Sequence, residues 1–180
     1  RLFKLPTATE IKSALVRVEQ TETSMELRNK LMVELAYGSG LRRGELARLN
    51  IDDIDLDSAN VKVIGKGGRE RIVPLTQKAV ETIKESFLYR PVTRGPLFVS
   101  FMGKRIKPSS VYYIMRDSSG IRPHLWRHAC ATHMLQGGCN LRIIQELLGH
   151  NRLTTTQIYT HITKEELRCK IQSTHPRSRA

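Results

Sequence analysis

Apolar positions recur every three to four residues over most of the chain, and this period predicts amphipathic helices. From Ile51 to Leu75 the period changes to two: Val61 and Val63 alternate with a lysine, and a glycine-rich turn follows. The returning segment around Val73 predicts a β-hairpin, preceded by a short strand near Ile54. The pattern therefore predicts a mostly α fold with a small antiparallel β-sheet (α+β). The predicted helices begin near Thr9, Ser24, Leu41, Thr76 or Gln77, Pro108, Pro123, Asn140 and Thr163, with Ser24 as the cap of the second helix.

The helix that begins at Pro123 has an apolar stripe and a separate polar face. We expect the stripe to be buried, since its members recur at i, i+3, i+4 and i+8: Trp126, Ala129, Cys130 and Met134. Three polar residues at i, i+3 and i+4 share a different face: His124, Arg127 and His128.

A second helix and an exposed turn follow this one. Gly137-Gly138 ends the first helix, Asn140 can cap the next, and Gly149 stops it. His150 then lies just past a helix end, and a threonine-rich turn leads to Tyr159. Packing of these elements could bring two histidines, an arginine and a phenol to one surface.

The charge of the chain indicates what kind of partner it binds. Lys plus Arg outnumber Asp plus Glu by 30 to 17, for a net charge of +13. A folded surface with a positive electrostatic potential favours a polyanionic partner. Nucleic acid is the first candidate and an anionic membrane is the second. The alternative is a basic domain that binds neither. No apolar run is long enough to cross a bilayer, and no signal peptide is visible.

Cysteine and histidine spacing argues against a disulfide scaffold and against a metal site. Cys130, Cys139 and Cys169 are odd in number and lack C-x-x-C spacing, which fits a reducing, cytoplasmic location. No Glu or Cys stands at zincin spacing from the histidines, so no metal and no cofactor is predicted. We interpret His128 and His133 as structural residues that form hydrogen bonds within the helical layer.

Two further stretches carry basic residues in unusual places. GLRRGEL would put Arg42 at a helix start, where an arginine opposes the helix dipole, and Arg43 competes with it. Lys66 lies at the hairpin tip in VIGKGGRERIVPL, which is not a Walker A loop. Taken alone, each of these cations is most simply a solvated surface residue.

Together these motifs resemble the tyrosine site-specific recombinases, and within them the bacterial Xer type. The resemblance rests on His124-x-x-Arg127, Leu148-Gly149-His150 and Tyr159, with GLRRGEL and the hairpin upstream. It implies the fold of a DNA breaking and rejoining catalytic domain. The catalytic set that it implies is Arg42, Lys66 as general acid, His124, Arg127, His150 and the nucleophile Tyr159, with Glu45 in support. The DNA contacts that we expect beside these are Arg43, Lys66, Arg69, Arg71 and Arg122.

The resemblance also implies a reaction, partners and a domain organisation. The reaction is strand cleavage and rejoining through a 3′-phosphotyrosine, which requires neither metal nor ATP. The partners would be duplex DNA with a specific recombination site and three further subunits in a homo- or hetero-tetramer, and the resemblance leaves room for an accessory protein. Residues 1–180 would form a single C-terminal catalytic domain, preceded in the whole protein by a core-binding domain outside this chain. Residues 163–180 would contact a neighbouring subunit.

Two other hypotheses remain open at this point. A type IB topoisomerase uses a similar residue set, and relaxation of a circular plasmid without recombinants would favour it. A DNA-binding module without chemistry would form no covalent adduct with DNA. Since base recognition depends on side-chain geometry, the site sequence does not follow from these motifs.

Overall fold

The computed structural model describes residues 5–20, 23–90, 92–149 and 164–178. Within these ranges eight α-helices accompany one three-stranded antiparallel sheet, which confirms the predicted mostly α fold with a small sheet. The helices are α1 (Ala8–Glu19), α2 (Ser24–Gly38), α3 (Arg43–Arg48), α4 (Gln77–Tyr89), α5 (Pro108–Ser119), α6 (Pro123–Gln136), α7 (Leu141–Leu148) and α8 (Lys164–Thr174).

The first two helices begin with the same local device, a Thr-x-x-Glu capping box. At α2 the Thr23 hydroxyl accepts a hydrogen bond from the Glu26 N–H at 3.2 Å, and the Glu26 carboxylate accepts one from the Thr23 N–H at 2.9 Å. The prediction that Ser24 caps this helix was therefore wrong by one residue. Thr23 is the better cap because it has a glutamate three residues ahead, which satisfies a second free N–H.

Helix α2 is the centre of the core and packs against α1, α4, α5 and α6. All of its residues from Lys30 to Gly38 are buried, as expected for a helix surrounded by others. Opposite it, the predicted apolar stripe of α6 is fully buried, which confirms that prediction. Its Trp126 ring packs against Tyr37, with 5.5 Å between ring centroids, and donates its indole N–H to Ser119 Oγ at 3.1 Å.

The sheet has the order β1 (Ile54–Asp55), β2 (Asn60–Ile64) and β3 (Glu70–Pro74). Val61 pairs with Val73 and Val63 pairs with Arg71, so the register of the predicted hairpin is set by its buried valines. A single 3-10 turn, Lys66–Gly68, forms the hairpin tip. The hairpin thus carries Arg71 on the face that its valines bury, because side chains two residues apart share a face.

Helix α8 packs against β3, α6 and α7 of the same chain. Leu167 and Ile171 are its buried apolar residues. The chain then reaches the buried His175, whose Nε2 lies 3.0 Å from the Tyr37 carbonyl oxygen. Among the helices that the structure describes, none combines the length and the apolar character of a membrane span.

The contact between α6 and α8 depends on Gly137, at the end of α6. A Cβ added there would lie 2.5 Å from the Thr174 carbonyl oxygen. We therefore expect Gly137→Ala to lower the free energy of unfolding by about 1–3 kcal/mol, the usual cost of overpacking. Urea denaturation of both proteins measures this difference.

Gly44→Ala is the matched control for that substitution. Gly44 lies in α3, and a Cβ there would meet only the Arg48 Nη2 atom, at 3.6 Å. Because alanine is the better helix former, this variant should be as stable as the unmutated chain or slightly more stable. Equal destabilisation by both alanines would contradict the close approach of α6 to α8.

Candidate active site

The start of α3 and three helices, α5, α6 and α7, enclose a cavity of about 720 Å³. Its walls carry a concentration of basic and imidazole side chains and no acidic side chain among the residues that line it within the described ranges. These polar lining residues are Arg42, Arg43, Tyr112, His124, Arg127, His128 and Gln145.

Arg42 precedes α3 and is held by Glu45, three residues further on. The Arg42 N–H donates to Glu45 Oε2 at 2.8 Å, and Arg42 Nη1 donates to Oε1 at 3.0 Å. The arginine side chain is 43% exposed, whereas that of Glu45 is 2% exposed. A buried carboxylate therefore orients a guanidinium whose remaining donors are accessible from the cavity.

Arg43 also lines the cavity, but it has a different neighbour. Its guanidinium carbon lies 6.0 Å from the centroid of the Tyr112 ring. Of the two candidates for the first catalytic arginine, Arg42 is thus the one in contact with Glu45. The catalytic role of Arg42 stays a prediction, and this contact supports it.

Arg127 projects from α6 and lies almost buried between the turn at Gly40 and the end of α7. Its Nη1 donates to the Gly40 carbonyl oxygen, and its Nη2 donates to the Leu148 carbonyl oxygen at 2.6 Å. Burial, and secondly the charge of Arg42, lower the pKa of Arg127 to about 10. It therefore remains a cation at neutral pH, close enough to Arg42 for the two charges to interact.

Gly40 allows the turn before Arg42 to approach the end of α7. It has a φ of +65°, and a Cβ there would lie 2.5 Å from Leu148 Cδ2. Glycine is thus required on both counts, because the left-handed conformation strains other residues and the space is occupied. The close approach brings the turn before Arg42 against the end of α7, where the chain continues toward His150 and Tyr159.

Two histidines of α6 line the same cavity and are exposed. Partial burial, and then the charges of Arg122 and Arg43, lower the pKa of His124. Its imidazole is consequently neutral at pH 7 and able to accept a proton. The structure corrects the interpretation of His128, which is exposed at the cavity, whereas His133 does lie in the helical layer, with Nδ1 2.7 Å from Tyr37 Oη.

Glu45 has a second cationic partner that the sequence prediction did not include. Arg71 Nη1 and Nη2 donate to its two carboxylate oxygens at 2.8 and 3.0 Å. Burial by itself raises the pKa of Glu45, but the hydrogen bonds from Arg71 and from the Arg42 N–H outweigh it, and the pKa lies below its ordinary value. The alternation of β3, which puts Arg71 on the face of Val73, is the signal that could have predicted this contact.

The structure brings Arg42, Glu45, His124 and Arg127 together, four of the predicted catalytic or supporting residues. Of the predicted DNA contacts, Arg43 lines the cavity, Arg69 is exposed beside the hairpin tip, and Arg122 is exposed just before α6. His150, Tyr159 and the side chain of Lys66 lie outside the described residues. Within the described ranges, no cluster of three His, Cys, Asp or Glu side chains is arranged to hold a metal ion.

The sequence of this chain is similar to sequences of known proteins over most of its length. The sequence profile described as "Phage integrase family" matches residues 7–166. The chain belongs to the phage integrase family. A curated relative, the tyrosine recombinase XerC of Proteus mirabilis, is 42% identical over 166 residues, covering 86% of this chain and 54% of the relative.

Solved structures of this family share the fold. The integrase from mycobacterium phage Brujita superposes with a TM-score of 0.76 at 27% identity, over 100% of this chain and 61% of that one. The site-specific recombinase XerH bound to difH substrate, a pre-cleavage complex, gives 0.67 at 30% identity, over 93% and 54%. The chain thus spans little more than half the length of these relatives.

Proposed function

We propose that this chain cleaves and rejoins DNA strands at a specific recombination site, through a covalent bond between Tyr159 and a 3′-phosphate. The observation that carries the proposal is the convergence of Arg42 and Arg127 on one cavity. Arg42 is paired with Glu45, whereas Arg127 is held by two carbonyl oxygens, so the group keeps a net positive charge that a bound anion can share. A phosphodiester is such an anion, and its negative charge increases in the transition state.

The side chains at the cavity support separate steps of this reaction. Arg42 and Arg127 would hold the phosphate oxygens, because the guanidinium fork can bind two oxygens at once and stays charged. His150 would add a third donor. Since these groups are oriented before the reaction, they stabilise the transition state without reorganisation.

The proton transfers complete the chemistry. The Tyr159 oxygen forms a bond to phosphorus while the bond from phosphorus to the 5′ oxygen breaks. His124, neutral at pH 7, takes the phenol proton, and Lys66 gives a proton to the departing 5′ oxygen. The phosphotyrosine retains the bond energy, so a 5′-hydroxyl from another strand can reverse the step without ATP or metal.

The partners belong to the same proposal. Duplex DNA is supported by the basic cavity, by the net charge of +13, and by the recombinase XerH, whose structure is a complex with its difH substrate. We propose that the chain acts within a homo- or hetero-tetramer on DNA, an assembly that leaves room for an accessory protein. Residues 163–180 would contribute a subunit contact through the polar face of α8 that is left exposed beside its own core.

A covalent adduct tests the proposal. The probe is a pool of labelled duplexes with random sequence on both sides of a single nick. Cleavage close to the nick releases a short fragment and leaves the protein bound to the DNA. We expect an SDS-resistant adduct, with the nucleotide on the tryptic peptide of residues 153–164, whose only tyrosine is Tyr159.

Two other results would contradict the proposal. If the chain retards the pool in native gels but forms no SDS-resistant adduct, it is a DNA-binding module. If the nucleotide is found on a different peptide, Tyr159 is not the nucleophile.

A further inference from the structure

Arg71 joins three separate parts of the candidate site. It lies on β3 of the hairpin, its two Nη atoms donate to Glu45 on α3, and its Nε donates to the Leu147 carbonyl oxygen at the end of α7, at 3.3 Å. A Cβ on Gly149 would lie 3.2 Å from Arg71 Cδ, so the side chain also lies against the last described residue before His150.

The orientation of Arg71 differs from what a DNA contact requires. Its side chain is only 17% exposed, and both of its Nη atoms are engaged by one buried carboxylate. A guanidinium in a bidentate pair has few donors left for a phosphate. Arg69, two residues earlier and exposed, has the position that suits a phosphate contact.

The charges around Glu45 indicate how Arg71 affects Arg42. Arg42, Glu45 and Arg71 together carry a net charge of +1. Without Arg71, the glutamate would have Arg42 as its remaining hydrogen-bonded cation, and that pair would be neutral. Because Glu45 is buried, it would then draw Arg42 more strongly to itself, away from the cavity.

We propose that Arg71 is a positioning residue for strand cleavage, which balances the charge of Glu45 and so leaves the charge of Arg42 available to the scissile phosphate. Through Leu147, the same guanidinium ties the hairpin of Lys66 to the end of α7. This inference rests on the proposed function, since it assigns Arg71 a part in that same reaction.

The test compares Arg71→Met, Arg71→Lys and the double variant Arg71→Met with Glu45→Gln. The probe is the nicked duplex recovered from the adduct pool, and the readouts are the dissociation constant and the rate of adduct formation at saturating protein. Arg71→Met should lower that rate by about tenfold to a hundredfold, somewhat less than the loss of a direct transition-state donor. The dissociation constant should change less than about threefold, because other phosphate contacts carry the affinity.

Rescue distinguishes charge balance from a merely structural contact. Arg71→Lys keeps the charge and should retain more of the rate than Arg71→Met. The double variant removes both buried charges and leaves Arg42 unneutralised, so it should form adduct severalfold faster than Arg71→Met alone. If Arg71→Met does not fold, as judged by circular dichroism, these two variants are compared with the unmutated chain instead: each should lose saturated rate rather than affinity, and a loss of both in the same proportion contradicts the proposal.

Arg69→Met is the matched control, with the same loss of charge in the same hairpin. It should weaken DNA binding more than it slows the saturated rate. If Arg71→Met instead loses binding and rate in the same proportion, or if the double variant is no faster than the single one, Arg71 is not a positioning residue. The unmutated chain separates the two proposals: failure to form any Tyr159 adduct contradicts both, whereas an adduct formed at full rate by Arg71→Met contradicts this one alone.

Discussion

Replacement of Arg127 by alanine is expected to slow strand cleavage roughly 100- to 1,000-fold, the typical loss when one oriented transition-state donor is removed. Arg127 is nearly buried and directed by the Gly40 and Leu148 carbonyl oxygens. No water molecule can take over a fixed, permanently charged fork at that position. Affinity for DNA should fall far less, because contacts to other phosphates supply most of it.

The measurement pairs the rate of adduct formation at saturating protein with the dissociation constant for the same duplex. Arg94→Ala is the control, since Arg94 is exposed in the loop between α4 and α5 and is not among the residues that line the cavity. It loses the same charge and should leave the saturated rate unchanged. Equal losses of rate and affinity in Arg127→Ala would contradict the role that we propose for Arg127.

Removal of Arg177 should have the largest effect on stability among the ion pairs of the described ranges. Its guanidinium contacts Glu34 through Nη2 and through Nε, the latter at 3.2 Å, and contacts Glu19 at 2.7 Å. The Glu34 side chain is completely buried. Arg177→Ala leaves that carboxylate without its guanidinium, and we expect a loss of about 3–5 kcal/mol in the free energy of unfolding.

The pH dependence of this loss checks its electrostatic origin. Burial raises the pKa of Glu34 even in the presence of Arg177, and the loss of Arg177 should raise it further. A carboxyl whose pKa is higher in the folded state stabilises the fold at low pH, and that stability is lost as the pH rises through the folded-state pKa. Arg177→Ala should therefore cost less at about pH 5 than at about pH 8, in urea denaturation at both values.

Two variants serve as controls for Arg177→Ala. The double variant Arg177→Ala with Glu34→Gln removes the buried charge and should recover part of the stability. Arg116→Ala breaks an exposed pair with Asp117 and should leave the melting temperature nearly unchanged. If the cost of Arg177→Ala is the same at both pH values, the loss is one of packing rather than of charge.

The secondary structure of this chain could be predicted from local sequence patterns. The apolar stripe of α6, the valine alternation of the hairpin and Gly149 at the end of α7 each report on neighbours within a few residues. Such patterns depend only on backbone geometry and burial, so they predict helices and strands without knowledge of the fold. The one-residue error at Ser24 arose because the capping glutamate was not considered.

The candidate site could be predicted from the sequence only in part. The motif spacing singled out Arg42 and Arg127, and the structure places both at one cavity. The motif spacing did not show that Glu45 lies between two arginines, nor that His128 faces the cavity. Both depend on how α3, α6 and the hairpin pack together, which spacing along the chain does not encode.

The sequence by itself determined the helices, the hairpin and the types of residue available for phosphate chemistry, because period, caps and glycines act locally. Only the tertiary structure decided which cations share a space and which carboxylate restrains them. Arg71 is the clearest case: its charge suggests DNA, but the buried Glu45, 26 residues away along the chain, binds its guanidinium. A buried charge must be balanced within the fold, and long-range packing alone decides which residue balances it.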